Sequence, residues 1–202
     1  MELIVTPRLI IRDFFPEDAD ALYEYLSDPE VTRYEPYEPF SRGKARFEAR
    51  ARSLNKAYRA VALRDGASMP GIGAPGVYHT EPVRWGRVIG NLYIERHAFD
   101  MREIGFVFAR QYWGQGYARE SAEAAISAAF EDGAHRICAE CCTLNERSWR
   151  LMERLGMRRE GCALKSVALG KDEGGNPVWY DTYTYAVLDE EWQDARGVKR
   201  SL

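Results

Sequence analysis

The chain has 202 residues, 46% of them apolar and 29% charged, a length and balance that suit one globular domain able to bury its own core. With 28 basic and 31 acidic residues the formal charge is −3, which argues against stable nucleic-acid binding, and no apolar run reaches the roughly 20 residues of a membrane helix. Four cysteines, Cys138, Cys141, Cys142 and Cys162, are too few and too clustered for a secreted disulfide scaffold, so reduced thiols and a cytoplasmic location are expected, with no membrane partner.

Along the chain, residues 3–12 read as an opening strand interrupted at Thr6-Pro7. Residues 16–27 carry Ala19, Leu22, Tyr23 and Leu26 at helical spacing and stop at Asp28-Pro29. A loop over 31–40 holds Tyr34, Tyr37 and Phe40 among Glu35, Pro36, Glu38 and Pro39, and a basic helix follows over 41–54. Residues 58–64 and 87–95 read as two strands of a hairpin, with a Gly/Pro-rich insertion at 66–86 that is too long for an ordinary turn. Then come a strand at 102–109, a helix at 117–132, a strand at 136–142 and a helix at 145–155 closed by Gly156. Two strands, 157–169 and 178–188, finish the chain around the turn residues Gly174, Gly175 and Asn176. The implied fold is α+β: a single domain over 1–202, with a mixed, mostly antiparallel sheet flanked by helices. Only 102–142 has the strand, helix, strand form that demands a parallel pair with a right-handed crossover.

That crossover carries the chemistry. Gln111-Tyr112-Trp113-Gly114-Gln115-Gly116-Tyr117-Ala118 joins strand to helix, with glycines where side chains would block an approaching ligand. A helix start exposes unpaired N–H groups and the positive end of the dipole, which suits a phosphate or pyrophosphate. Ala118, Ala122, Ala125 and Ala129 form a small-residue stripe that lets the helix lie close to the sheet. A tight turn with no ligand is the plain alternative.

Gln111-x-x-Gly114-x-Gly116, after Ile104-Gly105-Phe106-Val107-Phe108 and before an alanine-rich helix, resembles the acyl-CoA signature of the GCN5-related N-acetyltransferase (GNAT) superfamily. The resemblance continues in Asn145-x-x-Ser148, Leu151, Glu153, Leu155-Gly156-Met157 and Glu160-Gly161. The opening Thr6-Pro7-Arg8-Leu9 and the closing Tyr180-Asp181-Thr182, Tyr185 and Glu191-Trp192 resemble the RimJ/RimL-like branch, which acetylates ribosomal-protein N-termini. It covers nearly the whole chain outside the insertion.

The resemblance implies acetyl-CoA as co-substrate, with no metal, and an amine acceptor: a protein N-terminus or a small molecule. Backbone N–H groups of Gln111, Gly114, Gln115, Gly116, Tyr117 and Ala118 would hold the pyrophosphate. Phe106, Val107, Phe108 and Ala109 would pair with the pantetheine arm and leave one amide near the thioester carbonyl, where negative charge appears as the amine attacks. Asn145 would donate to pantetheine, or simply cap its helix. Ser148 would hydrogen-bond the departing thiolate, or complete the cap. Met152 stands where the wider family often has a tyrosine general acid, so Ser148, another tyrosine or water must protonate the leaving group. The attacking amine must be neutral, which calls for a base. Glu103, at the start of the central strand, is the first candidate and Asp181 the second. Tyr34, Tyr37, Phe40 and Tyr180 are candidates for the acceptor pocket. A non-catalytic acyl-CoA-binding domain stays open as an alternative, and a homodimer is compatible with the sequence.

Three other signals carry less. Gly71-Ile72-Gly73-Ala74-Pro75-Gly76 spells a dinucleotide fingerprint, but prolines flank and interrupt it where a strand and a helix are required. Cys138-x-x-Cys141 lies on a strand, where residues three apart face opposite ways, and no second ligand pair is near. The arginines of 42–52 read as a solvated helix face interrupted by Glu48.

Overall fold

The computed structural model describes residues 3–64 and 86–197. Eight strands form one sheet: β1 (Ile4–Val5), β2 (Leu9–Asp13), β3 (Tyr58–Leu63), β4 (Val88–Arg96), β5 (Met101–Phe108), β6 (Arg136–Cys142), β7 (Arg158–Lys171) and β8 (Pro177–Leu188). Their spatial order is β1-β2-β3-β4-β5-β6-β8-β7, antiparallel throughout except for the parallel pair β5 and β6. The helices are α1 (Ala19–Leu26), α2 (Pro29–Thr32), α3 (Arg42–Leu54), α4 (Tyr117–Glu131), α5 (Glu146–Arg154) and α6 (Asp189–Asp194).

Strand alternation divides the core between the two faces of the sheet. On one face α4 brings Ala122, Ala125, Ile126 and Ala129 against Leu9, Ile11, Val61, Leu92 and Ile104. On the other, α1 and α3 pack Leu22, Leu26, Ala45 and Ala49 against Ala60, Ala62 and Val88. The small-residue stripe therefore works as expected: with no bulk on its inner side, α4 lies close over the β5–β6 crossover. In the crowded middle, a Cβ at Gly90 would come 2.5 Å from the Val107 carbonyl and 2.6 Å from the Phe108 ring.

Several expectations need correction. The opening strand is two strands, because Pro7 breaks the ladder and Thr6 bridges the turn: its N–H donates to the Leu9 carbonyl and its hydroxyl accepts from the Leu9 N–H. The loop at 31–40 begins inside α2, which Asp28 caps through its bond from the Glu30 N–H at 2.9 Å. Helix α6 is an unexpected element; six residues are too short to show a period, and it is pinned by buried Trp192, whose ring lies 6.0 Å from that of Phe130. The insertion lies outside the described residues except for Gly86, and so does the fingerprint-like Gly71 to Gly76.

A candidate active site in the wedge between β5 and β6

The parallel pairing of β5 with β6 lasts only three residues: Met101 with Arg136, Arg102 with Ile137, Glu103 with Cys138. Beyond it β6 stays with β8 as far as Cys142 and Thr182, while β5 stays with β4 as far as Phe108 and Gly90. The sheet thus splits into a wedge. The parity of the ladder determines what lines it. The Ala109 N–H donates to the Ile89 carbonyl at 2.9 Å. In an antiparallel ladder alternate residues turn their N–H and C=O the same way, so Val107 also bonds toward β4, and Phe106 and Phe108 aim their backbone groups into the wedge. Trp113 reaches back from its rim, its indole N–H 2.7 Å from the Phe108 carbonyl. The expectation that all of Phe106 to Ala109 could pair with an arm is corrected for Val107 and Ala109, whose backbone groups face β4.

At the mouth of the wedge the chain passes through Gln111 and Gly114 into α4. Gly114 and Gly116 have φ of +73° and +84°, a conformation that costs other residues energy. No side chain caps α4, and the N–H groups of Gly116, Tyr117 and Ala118 donate to none of the described residues. A Cβ on Gly114 would meet nothing within 4 Å, so its space is open to a ligand. Gln115 braces the loop by donating to the Gln111 carbonyl at 2.7 Å. Arg8 reads the other side. It donates to the Gln115 carbonyl at 3.0 Å, lies over the Tyr117 ring and pairs with Glu120 at 2.6 Å. Donors without acceptors at a helix start beside a cation fit a diphosphate.

On the β6 lip, Asn145 caps α5, its side-chain oxygen accepting from the Ser148 N–H at 3.2 Å, while its amide nitrogen donates to no described residue. Capping and ligand binding therefore use different atoms. The Ser148 hydroxyl contacts the Cys141 thiol; burial pushes that thiol up to about 11, against the pull of this hydrogen bond. Met152 is buried at 1% exposure and fills the core under α5, so a thioether does occupy the position one turn on.

Glu103 stands at the closed end of the wedge, half exposed, 3.3 Å from His97 Nε2 and directly across the ladder from Glu95, to which Tyr93 donates its hydroxyl. Asp181 has a partner of a different kind: it accepts from the Lys165 N–H at 2.7 Å, holding a residue at φ +47° in the irregular β7–β8 pairing. Tyr180, opposite Val167, is half-buried in that hairpin. Tyr34 and Tyr37 are half-buried on the connector before α3, whereas Phe40 is turned into the core at 4% exposure. Phe40 is therefore an anchor for the connector, its ring 5.1 Å from that of Tyr37, and not an open pocket wall.

Other residues at the site leave no sequence signal, because long-range pairing brings them together. Asp28 pairs with Arg110 at 3.3 Å and Glu30 with Arg147 at 3.8 Å, and Arg147 lies over the Trp113 ring. The start of the connector thus touches both lips of the wedge. Beneath it, Tyr25 donates to Asn91 at 2.8 Å and Arg52 donates to the same oxygen at 3.1 Å, all three buried; Asn91 faces Val107 across the ladder.

Residues 8–158 match the acetyltransferase (GNAT) domain family. The uncharacterized N-acetyltransferase YnaD of Bacillus subtilis (strain 168) is 36% identical over 191 residues, covering 94% of this chain and 98% of YnaD. Among solved structures, an acetyltransferase (GNAT family) from Bacillus anthracis superposes with a TM-score of 0.75 at 32% identity, over 94% of this chain and 99% of that one. The ribosomal-protein-S5-alanine acetyltransferase from Vibrio fischeri has a TM-score of 0.71 at 18% identity, over 95% and 99%, a likeness of fold.

Proposed function

The chain belongs to the GNAT acetyltransferase family and is an N-acetyltransferase; on that premise we propose that it transfers the acetyl group of acetyl-CoA directly to a primary amine, with a protein N-terminal α-amine as the acceptor. Acetyl-CoA supplies an activated thioester. The N–H groups of Gly116, Tyr117 and Ala118 receive its diphosphate, and the backbone of Phe106 and Phe108 aligns its arm in the wedge. The Phe106 amide would be the donor for the thioester oxygen, stabilising charge that grows only as the amine attacks. Asn145 donates its free amide hydrogens to the arm. Ser148 presents its hydroxyl to the sulfur and relays to it the second proton that the attacking nitrogen sheds as the thiol leaves, the role that Met152 cannot take.

Glu103 takes the proton of the incoming ammonium. It lies three residues from Phe106, about 10 Å along the strand, so the transfer runs through water. The observation that carries this reading is the wedge itself: two strand backbones part beside an uncapped helix start. The N-terminal α-amine is supported by the RimJ/RimL-like residues Thr6-Pro7-Arg8-Leu9 and Tyr180-Asp181-Thr182, and by the fold shared with the Vibrio fischeri enzyme. A panel of N-terminal peptides, amine metabolites and aminoglycosides, read by release of the CoA thiol, tests it. Turnover confined to the peptides is expected; turnover confined to small amines would overturn the choice of acceptor.

A further inference from the structure

Asn91 is buried in the middle of β4, at 3% exposure, and its side-chain amide is engaged at one end only. The oxygen accepts from the Tyr25 hydroxyl at 2.8 Å and from the Arg52 guanidinium at 3.1 Å. A guanidinium only donates, so the amide oxygen must face Arg52 and the NH2 group must face away. Burial pushes the Tyr25 phenol well above its ordinary range, which keeps it a donor as well. Among the described residues the Asn91 NH2 group donates to nothing, and they do not seal its nitrogen from solvent. Buried polar groups are nearly always paired, and an asparagine that served the core alone would have both ends satisfied.

The unused end is turned toward the reaction. Arg52 comes from the far side, with its guanidinium 4.5 Å from the ring of Tyr58 on β3 and 5.7 Å from that of Phe14 after β2. The amide oxygen therefore faces β3, and the NH2 group is left on the side of β5. Asn91 pairs with Val107, Tyr93 with Gly105 and Glu95 with Glu103, and by strand alternation these pairs share one face of the sheet. Diagonally across from Asn91 that face is bare, because Gly105 has no side chain. Glu103, the base, stands at one end of the strip and Asn91 at the other. Val107, opposite Asn91, is one residue, about 3.4 Å, along the strand from Phe106, the donor assigned to the thioester oxygen. An α-amine attacking there carries the carbonyl of its own residue within reach of Asn91.

We propose that Asn91 determines acceptor specificity by donating its free N–H to a carbonyl oxygen adjacent to the attacking amine, so that the enzyme selects the α-amine of an amino-acyl group over amines with no such carbonyl. Tyr25 and Arg52 are positioning residues that act through Asn91. A site built to donate this bond rejects an acceptor that leaves the donor unpaired. The inference rests on the acetyl-transfer reading above, and deepens it by naming the group that must stand beside the amine.

The test uses the full-length protein with acetyl-CoA and four acceptors: glycinamide, an alanyl peptide amide, a seryl peptide amide and 2,2-difluoroethylamine, an amine weakened to a similar basicity but without a carbonyl. Wild type is expected to favour one or more of the first three over difluoroethylamine in kcat/KM by roughly 10-fold or more, the worth of a good hydrogen bond. Asn91→Asp keeps an oxygen for Tyr25 and Arg52 and puts a second acceptor in place of the donor. Its charge draws every ammonium alike, so the ratio between acceptors reads the lost N–H. That ratio should fall roughly 10-fold at unchanged KM for acetyl-CoA. Tyr25→Phe, which frees the amide from one of its two anchors, should lower the ratio by a smaller factor. The inference is overturned if wild type shows no preference for a carbonyl-bearing acceptor, if Asn91→Asp keeps the wild-type ratio, if KM for acetyl-CoA rises with the loss, or if wild type binds acetyl-CoA yet acetylates none of the first three. Should Asn91→Asp fail to fold by far-ultraviolet dichroism, the wild-type preference and the Tyr25→Phe ratio decide, and an unchanged ratio in Tyr25→Phe then overturns it. Calorimetry with acetyl-CoA alone precedes these assays; if wild type shows no binding there, the acetyl-transfer reading fails and this inference with it.

Discussion

Two carboxylates compete for the role of base, and their surroundings separate them. Glu103 lies beside a histidine and across from Glu95, half open to water; Asp181 has one oxygen committed to the Lys165 amide. Glu103→Gln is expected to lower kcat near neutral pH by about 100-fold or more, at unchanged KM for acetyl-CoA, the usual scale of a general base. Asp181→Asn, whose amide oxygen still accepts from Lys165, should stay within a few-fold of wild type. A pH–rate profile of the two variants decides between them; a large loss in Asp181→Asn alone would reverse the assignment. Asn145 and Ser148 separate differently. Asn145→Ala removes a helix cap, so it should cost about 1 kcal/mol of stability in a urea titration as well as affinity for acetyl-CoA. Ser148→Ala keeps the backbone bond to Asn145 and should lower kcat with little change in the urea midpoint.

At the scale of elements, the cradle is a strand that loses its partner and a helix that starts without a cap. The helix start was legible in the sequence because paired glycines mark backbone that other residues adopt only at a cost, and Gly114 and Gly116 both take the left-handed conformation. The wedge was legible only through a family resemblance. Nothing in Ile104-Gly105-Phe106-Val107-Phe108 says that pairing with β6 stops at Cys138, since that depends on where β8 holds the far strand. Phe40 misleads for a related reason: an aromatic in a proline-flanked loop serves as well for an anchor as for a pocket wall, and only the packing of α1 and α3 beneath it decides. The network of Tyr25, Arg52 and Asn91 joins residues 39 and 66 positions apart and has no local signature. Gly116→Val tests the cradle as an element. A β-branched side chain at φ +84° is strained and brings its Cβ to 3.3 Å from Arg8, at the point where the diphosphate must approach the N–H groups. Affinity for both acetyl-CoA and free CoA should fall at least tenfold by calorimetry, while far-ultraviolet dichroism keeps its native form.

For the whole molecule, splitting the sheet has a consequence for stability. Two half-sheets are joined by a three-residue ladder, and ion pairs tie separate elements within them and to α4: Glu120 of α4 with Arg8, Asp132 after α4 with Arg96 and Arg102, Glu160 of β7 with Arg136. For Glu120 burial opposes ionisation, but the bonds from Thr6 and Arg8 prevail and its pKa falls below the ordinary value; for Asp132 and Glu160 the arginine hydrogen bonds lead and act in the same direction. A carboxylate whose pKa is lower folded than unfolded contributes stability above its unfolded pKa and loses it as pH drops through the folded one. The melting temperature should therefore hold from neutrality to about pH 5 and decline below it, as the unfolded-state carboxylates near 4 begin to titrate. A bound acetyl-CoA would touch β5, α4 and α5 together and so span the split. With ligand at 100 times its Kd, mass action alone adds about 2.7 kcal/mol. For a chain of this size that is on the order of 5 to 10 °C in Tm. Gly116→Val, with affinity at least tenfold lower, should show at most about half of this gain at the same concentration. If wild type melts at the same temperature with and without acetyl-CoA near saturation, the wedge does not hold the thioester, whatever its backbone offers.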